Sequence, residues 1–335
     1  MTTILKAEGK GELLTAVTTL LGYTPTESLV IAPFRGTRSH GAMRVDLPTA
    51  TDADALAAYT AEWLGTVCRL GGVTMITAAI YTDGDQARHA LLAETLRTMC
   101  DLLGIDVAAI FYATPAAWGE YFTGEEHTEP APALANAPAL ATGDQHTGIE
   151  LPATDPALAA AVAAATFPTD DEASLTGMLE GVLTADPNAP EPSTLAHLAA
   201  VMVIPALRDA ALIQWASDEQ TGREAVAAQT AYCAAGAAIP EHLARILVGD
   251  TMHRPDPARL GAALAACRIA AAHVTGREHA ALLAAAGWLA WALGRSTHAG
   301  HYLDHAAQAD PELTFVGLLS RLVTSGTLPA WVFTQ

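Results

Sequence analysis

The feature that most constrains the fold of this chain is a change of pattern near its middle. Up to about residue 122, apolar runs of strand length alternate with amphipathic stretches of helix length. From residue 157 onward, every segment has the apolar spacing of a helix. The stretch between them has no apolar period and is interrupted by prolines at positions 130, 132, 138, 152 and 156.

This pattern predicts two domains joined by a loop. We expect an α/β domain at residues 1–122, an acidic, proline-rich linker or lid loop at 123–156, and an all-α domain at 157–335. A chain of 335 residues is long enough to give each domain a core of its own. Because aromatic residues make up only 6% of the chain and alanines are abundant, we expect helices that pack closely through small side chains.

The N-terminal domain is predicted to be a small mixed sheet with helices. In chain order the predicted elements are a helix at Glu12–Leu21 ended by Gly22, a hairpin of strands at Ser28–Phe34 and Gly41–Leu47, a helix ending near Leu70, a strand at Val73–Tyr81, a helix at Gln86–Leu103 and a strand at Ile105–Ala113. A strand, helix and strand at this spacing indicate a crossover connection, which makes the last two strands parallel.

The C-terminal domain is predicted to be divided into helices by breaks that include Gly222, Gly276 and Pro311. One pair of helices has the small-residue spacing of a tetratricopeptide repeat, at Gly287, Gly294, Ala299, Ala306 and Pro311. Leu283 stands where that repeat prefers tryptophan, and no second copy lies 34 residues upstream. The sequence therefore predicts one tetratricopeptide-like helical hairpin and no solenoid.

Charge is distributed unevenly along the chain. No lysine or arginine occurs between Arg97 and Arg208, a stretch that holds fifteen of the Asp and Glu residues, and the whole chain has a net charge of -19. Such a field repels phosphates and anionic headgroups, and it attracts basic protein segments. We therefore expect no nucleic-acid and no membrane partner, and a protein partner of basic character; association of copies of the chain stays open.

Three observations predict a cytoplasmic protein. The four cysteines, at positions 68, 100, 233 and 267, form no C-x-x-C pair and lie in apolar, helix-like contexts, which favours reduced core residues. Residues Met1–Glu12 lack the pattern of a secretory signal. The longest apolar run, Ala280–Gly294, is about a turn short of a bilayer span.

The strongest candidate for chemistry is a group of histidines. His298, His301 and His305 lie at i, i+3 and i+7 with Asp304 between them, so on a helix the three imidazoles share one face and can coordinate a divalent metal. The alternative is a solvated polar face at the start of a helix. Zinc sites normally draw ligands from more than one element, which favours the solvated face.

Two arginine–aspartate pairs are candidates for structural ion pairs. Arg208 and Asp209 are adjacent and point about 100° apart on a helix, so we expect each to find a partner on another element. Arg44 and Asp46 are two apart on a strand and face the same side, where they complete an ion pair or line a pocket at the edge of the sheet. A structural role is favoured for all four residues over substrate binding.

Other motifs predict no catalytic or cofactor site. Ser28 lacks the small-residue elbow of a nucleophilic serine, which favours a capping role where a turn enters a strand. The glycine pairs at positions 9/11 and 71/72 do not follow a strand, as the glycines of a phosphate-binding loop do. Trp118, Tyr121 and Phe122 form either an aromatic binding ledge or a plug between domains. We predict no cofactor.

Several runs of sequence resemble one known family. They are Leu13–Val17, Leu20–Ile31 and Arg44–Pro48 at the start of the chain, and Leu207–Leu212, Trp288–Gly294, Ala309–Pro311 and Gly326–Trp331 later. In this order they are similar to an actinobacterial family known as domain of unknown function 4192, over nearly the whole chain. The resemblance implies no activity. The family often has cysteines after the strand near Trp118–Phe122, whereas this chain has none between Cys100 and Cys233, so any centre built on those cysteines is missing here.

These observations favour a non-catalytic cytoplasmic interaction or regulatory protein. The reason is that no acid, base and nucleophile converge in the sequence pattern. One alternative is a metal-assisted hydrolase that uses the histidine face together with loop carboxylates at Glu125, Glu126 and Glu129. Another is a structural or accessory protein of a phage that infects actinobacteria.

Overall fold

The protein is described by a computed structural model over residues 6–39, 41–134, 137, 140, 143–165 and 172–333, apart from the side chains of 172–174. The chain forms two compact units, Met1–Thr147 and Gly148–Gln335. The division falls inside the stretch that was predicted to be a linker, and one of its prolines, Pro138, lies outside the described residues. The start of that stretch is part of the first unit, because the Thr15 hydroxyl donates a hydrogen bond to the Pro132 carbonyl oxygen at 2.8 Å.

The first unit is a mixed sheet with helices, as predicted. Its elements are α1 (Lys10–Leu21), β1 (Ser28–Arg35), β2 (Arg38–Ser39), β3 (Met43–Asp46), α2 (Ala53–Arg69), β4 (Met75–Tyr81), α3 (Ala90–Leu103), β5 (Asp106–Ala113), β6 (Trp118–Glu120) and β7 (Glu126–His127). The strand order is β2-β1-β4-β5-β6-β7, with β3 also paired to β1. β1 and β3 form the predicted antiparallel pair, and β4 and β5 are parallel, as the helix between them indicated.

The sheet is covered on both faces. Leu29 and Ile80 belong to the apolar cluster that includes residues of α2 and α3, whereas Val30 and Phe111 belong to the cluster that includes residues of α1. A strand covered on both sides cannot alternate between apolar and polar residues, which accounts for the continuous apolar sequence of β4. Capping fixes the ends of the helices: the Asp52 carboxylate accepts from the Ala55 backbone amide, and Gly22 ends α1 with a φ of 85°.

The second unit is all-α in its described residues, as predicted. Its helices are α4 (Pro156–Ala164), α5 (Glu172–Thr184), α6 (Pro192–Val203), α7 (Pro205–Ala216), α8 (Glu219–Ala235), α9 (Glu241–Leu247), α10 (Pro257–His273), α11 (Gly276–Ala292), α12 (Ser296–Ala309) and α13 (Thr314–Thr324). Helix α11 is the centre of the unit, because every residue from Ala280 to Ala292 is buried. The apolar run that is too short for a membrane span is therefore a core helix.

Helices α11 and α12 form a hairpin at the predicted place. A Cβ atom on Gly287 would meet Leu303 Cγ at 2.8 Å, so the two helices approach each other through a residue without a side chain. Gly294 lies in the connection with a φ of 77°, and Pro311 follows the end of α12. The helical hairpin is thus present, and its likeness to a tetratricopeptide repeat stays a prediction.

Two predictions are wrong, one for Gly222 and one for the cysteines. Gly222 does not interrupt a helix but lies inside α8, where a Cβ atom would meet Gln214 Oε1 at 2.3 Å. The glycine is there because the neighbouring helix leaves no room for a side chain. Cys68 and Cys233 are exposed, and only Cys100 and Cys267 are core residues; all four thiols are free.

In the described part of the chain, no single helix is both long enough and apolar enough to cross a bilayer. Helices α6 and α7 reach that length and apolarity only when they are counted together, and the chain bends by 113° between them.

Candidate functional site

The predicted pair Arg44 and Asp46 lies at one edge of the sheet in the first unit. Asp46, Ser28 and Tyr81 are register partners across β3, β1 and β4, so they mark this edge. Arg44 Nη2 donates a hydrogen bond to Asp46 Oδ1, and Arg44 Nε donates one to Ser28 Oγ at 2.6 Å. The Ser28 hydroxyl in turn donates to the Thr26 carbonyl oxygen at 2.5 Å. The Arg44 guanidinium and the Ser28 hydroxyl thus connect β3 to the start of β1 and to the turn at Thr26.

Sequence reasoning missed Glu27, which organises the loops at the same edge. Its Oε1 accepts hydrogen bonds from the Thr82 hydroxyl at 2.9 Å and from the Asp83 backbone amide at 2.6 Å. Among the described residues, Glu27 is also the non-glycine residue with a positive φ, of 40°. Gln145 contacts the neighbouring Thr26 through both its amide oxygen and its amide nitrogen. No local pattern in the sequence signals such contacts between distant loops.

The structure corrects the prediction for Arg208 and Asp209. We expected partners on other elements, but Arg208 Nε and Nη2 both donate to Asp209 Oδ1, at 2.9 and 2.7 Å. The flexible arginine side chain bends back along the helix, so neighbouring Cβ directions do not prevent the pair. The guanidinium also lies over the ring of Phe315, 3.7 Å from its centre. Arg208 is buried, and the pair belongs to the packing of α7 near α13.

The three histidines lie on α12 as the spacing predicted. His298 and His301 are half-buried, with rings at edge-on angles to the Tyr302 ring, and His305 is exposed. His305 Nδ1 is 2.9 Å from the His301 carbonyl oxygen. Within the described residues, no group of three or more His, Cys, Asp and Glu side chains is arranged to hold a metal ion. The three histidines of α12 therefore do not form such a group.

The aromatic residues after β5 pack within the first unit. Trp118 stacks on His127 with ring centres 4.2 Å apart, and its indole N–H donates to the Glu129 carbonyl oxygen at 3.0 Å. Arg97 lies over the Phe122 ring at 3.9 Å. Trp118 therefore anchors the beginning of the acidic stretch.

A partly buried polar network links three helices of the second unit. Arg259 donates to both oxygens of Glu180, at 2.9 and 2.7 Å, and Gln214 Nε2 donates to Glu180 Oε1 at 2.9 Å. Because Arg259 and Gln214 stabilise the charged carboxylate, the pKa of Glu180 is lowered from its ordinary value. The network therefore links α5, α7 and α10.

This network predicts a loss of stability in acid. A carboxyl whose pKa is lowered by folding stabilises the fold above its unfolded pKa, and this contribution disappears as the pH falls through the folded pKa. At pH 7, Glu180→Gln should lower the free energy of unfolding by about 1.5–3 kcal/mol. The difference between wild type and Glu180→Gln in urea melts should shrink below pH 4. A difference that is constant down to pH 3 would contradict the network; Glu312→Gln, at an exposed site, is the control.

The second unit also has an apolar groove of about 590 Å³ between α5, α6 and α10. Its walls come from α5 and the loop after it, from the first turns of α6, and from a small-residue face of α10. The residues of these walls are Met178, Gly181, Val182, Leu183, Ala185, Asp186, Pro187, Ala189, Pro190, Glu191, Thr194, Leu195, Leu198, Ala262, Ala265, Ala266 and Ile269. We call this feature the α5/α6/α10 groove.

The groove combines an apolar interior with an acidic rim. Val182, Leu195 and Leu198 are buried at its floor, and Asp186 and Glu191 are exposed at its edge. Among the described residues that line it, none is a lysine or arginine. Nearby, Arg259 is already neutralised by Glu180. The groove is therefore suited to an apolar surface that carries positive charge at its margin.

Comparison with known proteins identifies the family. A family model described as "Domain of unknown function (DUF4192)" matches residues 11–330. The chain belongs to this family. No curated protein and no solved structure matches the chain.

The match extends across both units, so the DUF4192 family model includes both of them. The runs that carried the resemblance are also joined in the structure. Ser28–Ile31 pairs with Met43–Asp46 in the sheet. In the second unit, Trp291 Nε1 donates to the Thr327 carbonyl oxygen at 2.8 Å, which joins the core helix to the end of the chain. These contacts show packing roles for those runs.

Proposed function

We propose that this protein works by binding a protein partner in the cytoplasm, without catalysis, and that the partner inserts the apolar face of a basic helix into the α5/α6/α10 groove. The observation that carries the proposal is the acidic rim around an apolar interior. Carboxylates at the rim of an interface select positively charged partners and accelerate their association. The free thiols of all four cysteines agree with a reducing compartment.

The shape of the groove favours a helix as its occupant. Ala262, Ala265 and Ala266 are spaced at i, i+3 and i+4 on α10, so this wall consists of small side chains. Small side chains let the backbone of a partner helix approach closely, and apolar anchors at helical spacing then fill the floor. A basic residue on each side of the anchors reaches Asp186 or Glu191 at the rim.

A small-molecule ligand fits the groove less well. Volumes of this size are common in ligand pockets, but such pockets place several polar groups where they fix the orientation of the ligand. Away from the two rim carboxylates, Thr194 is the polar side chain among the described residues of the lining. An apolar helix face needs no such groups, which is why a peptide segment is the better occupant.

Photo-crosslinking in the cells that encode the protein tests the occupant. A photoreactive amino acid in place of Ala266 should crosslink to one protein segment, which mass spectrometry identifies and whose sequence should show helical apolar spacing with flanking Lys or Arg. The same amino acid at Leu318, which is 64% exposed on α13, should not capture that segment. An acidic segment, or crosslinks to small molecules alone, would refute the proposal.

The rim charge is tested with the captured segment as a synthetic peptide. Glu191→Lys should weaken binding in fluorescence anisotropy by about fivefold, since an attractive exposed charge becomes repulsive. Glu312→Lys makes the same change of charge elsewhere on the second unit and should bind as wild type does. Duplex DNA should not compete at physiological salt, and competition that weakens with added salt would contradict the expected selectivity for protein.

A further inference from the structure

The segment before α4 is bound along the end of α10. We call residues 149–155 the strap. Arg268 Nη2 donates a hydrogen bond to the Glu150 carbonyl oxygen, so α10 holds the beginning of the strap. Further along, the Thr154 hydroxyl donates to the Ala272 carbonyl oxygen at 2.9 Å. That carbonyl belongs to the last turn of α10, where the helix itself offers no amide partner. The strap therefore completes the hydrogen bonding at this helix end.

His273, the last residue of α10, binds the strap in one protonation state only. Its side chain is buried, and Nδ1 lies 2.7 Å from the Ile269 carbonyl oxygen, which can only accept, so Nδ1 carries a proton. Its Nε2 lies 3.1 Å from the backbone amide of Asp155, which can only donate, so Nε2 carries none. This contact therefore requires the neutral imidazole with its proton on Nδ1.

A second proton on the imidazole would break the contact with the strap. Protonated Nε2 is a donor that faces the amide of Asp155, and that residue caps α4 at the positive end of its helix dipole. The carbonyl groups at the end of α10 attract a cation, but Nδ1 already donates to Ile269 in the neutral form, so no hydrogen bond is gained there. We propose that His273 is a pH-sensitive latch, which holds the strap when neutral and releases it when protonated. This inference does not depend on the α5/α6/α10 groove.

Other ionisable groups lie on the elements around this end of α10. On the strap, the Asp155 carboxylate accepts from the Ala157 amide at 2.9 Å, and α4 itself has no ionisable residue. On α11, His279 Nδ1 lies 2.7 Å from the Ala271 carbonyl oxygen. On α6, which packs against α4 and α10, burial lowers the pKa of His197. The remaining charged side chains on the helices that pack against α10 include Glu180 on α5, Arg208 and Asp209 on α7, and Arg277 and Glu278 on α11.

Hydrogen exchange at the Asp155 amide, followed by NMR, tests the latch. The rates at pH 8 and pH 5 are divided by the intrinsic rate at each pH, which gives the opening constant of the strap. A histidine in the open strap titrates near pH 6.5, so the opening constant of wild type should rise by at least about tenfold at pH 5. Core amides of α11 should not open in parallel. At pH 8, the imidazole nitrogen shifts of His273 should show the tautomer with its proton on Nδ1.

Matched variants separate His273 from the other histidines. His273→Gln offers an acceptor near the position of Nε2 but does not titrate, so its opening constant should be equal at pH 8 and pH 5. A glutamine that cannot reach the amide leaves the strap open at both pH values, which also removes the response to acid. His279→Gln and His197→Gln should respond as wild type does, because neither residue bonds to the Asp155 amide.

Three results would overturn the latch. One is a wild-type opening constant that is the same at pH 8 and pH 5. Another is an acid response that persists in His273→Gln, since a different group is then responsible. The third is a proton on Nε2 of His273 at pH 8, because that tautomer cannot accept from the strap. Parallel opening of the α11 amides counts against the latch as well, since acid then acts on the whole unit.

Discussion

Trp291→Ala is expected to lower the free energy of unfolding of the second unit by about 3–5 kcal/mol, the largest effect of any single change considered for this protein. The Trp291 side chain is 1% exposed and lies between Trp288 and Trp331, with ring centres 6.3 and 6.1 Å away. Removing it opens a cavity in the core and leaves the Thr327 carbonyl oxygen without its indole donor. Urea unfolding followed by circular dichroism measures the loss.

Two further variants separate the causes of that loss. Trp291→Phe keeps most of the apolar surface but removes the N–H donor, and it should cost about 1–3 kcal/mol. Leu318→Ala removes an apolar side chain that is 64% exposed and should change stability by less than about 0.5 kcal/mol. Equal effects of Trp291→Ala and Leu318→Ala would contradict the description of this core.

Arg208→Ala is expected to lower the free energy of unfolding by about 3 kcal/mol. The arginine is buried, and its removal leaves the Asp209 carboxylate, whose side chain is only 24% exposed, without a counter-charge. It also removes the cation that lies over Phe315. The estimate is at the low end for a broken buried pair, because water reaches Asp209 in part.

The control for Arg208 lies on the helix that carries Phe315. Arg321→Ala removes an exposed arginine from α13 and should have little effect on stability. Arg208→Lys should recover only part of the loss, because a lysine ammonium cannot repeat the paired Nε and Nη2 contacts to Asp209. A melting midpoint of Arg208→Ala equal to that of wild type would show that the guanidinium does not support the packing of α7.

Local pattern was sufficient to predict most elements of the first unit. The change from strand-length to helix-length apolar runs, and stops such as Gly22, depend on neighbours within a few residues, and these are present in the sequence. The parallel pairing of β4 and β5 followed from the helix between them. Local pattern failed at Gly222, because a glycine that makes room for another helix looks the same in sequence as one that ends a helix.

The candidate sites were less predictable than the fold. The histidine face followed from spacing alone, and the α5/α6/α10 groove did not, because its walls come from segments about 80 residues apart in the chain. The hydrogen bond from Arg268 to the Glu150 carbonyl oxygen likewise joins distant segments of the chain. No periodic signal marks side chains that meet only after the helices have packed.

The sequence by itself determined the class of each unit, most elements of the first unit and the acidic character of the chain, because these follow from local apolar spacing, turn residues and charge counts. The family came from the resemblance of particular runs of sequence, which the family model confirms. Tertiary structure alone decided which polar atoms find partners. Arg208 bends back to Asp209, and Glu180 is held by Arg259 and Gln214. Within the described part of the chain, the Tyr302 hydroxyl has no hydrogen-bond partner. These pairings depend on the positions of several helices at once. Because the groups are at least partly buried, each pairing changes the free energy of folding more than it would at the surface.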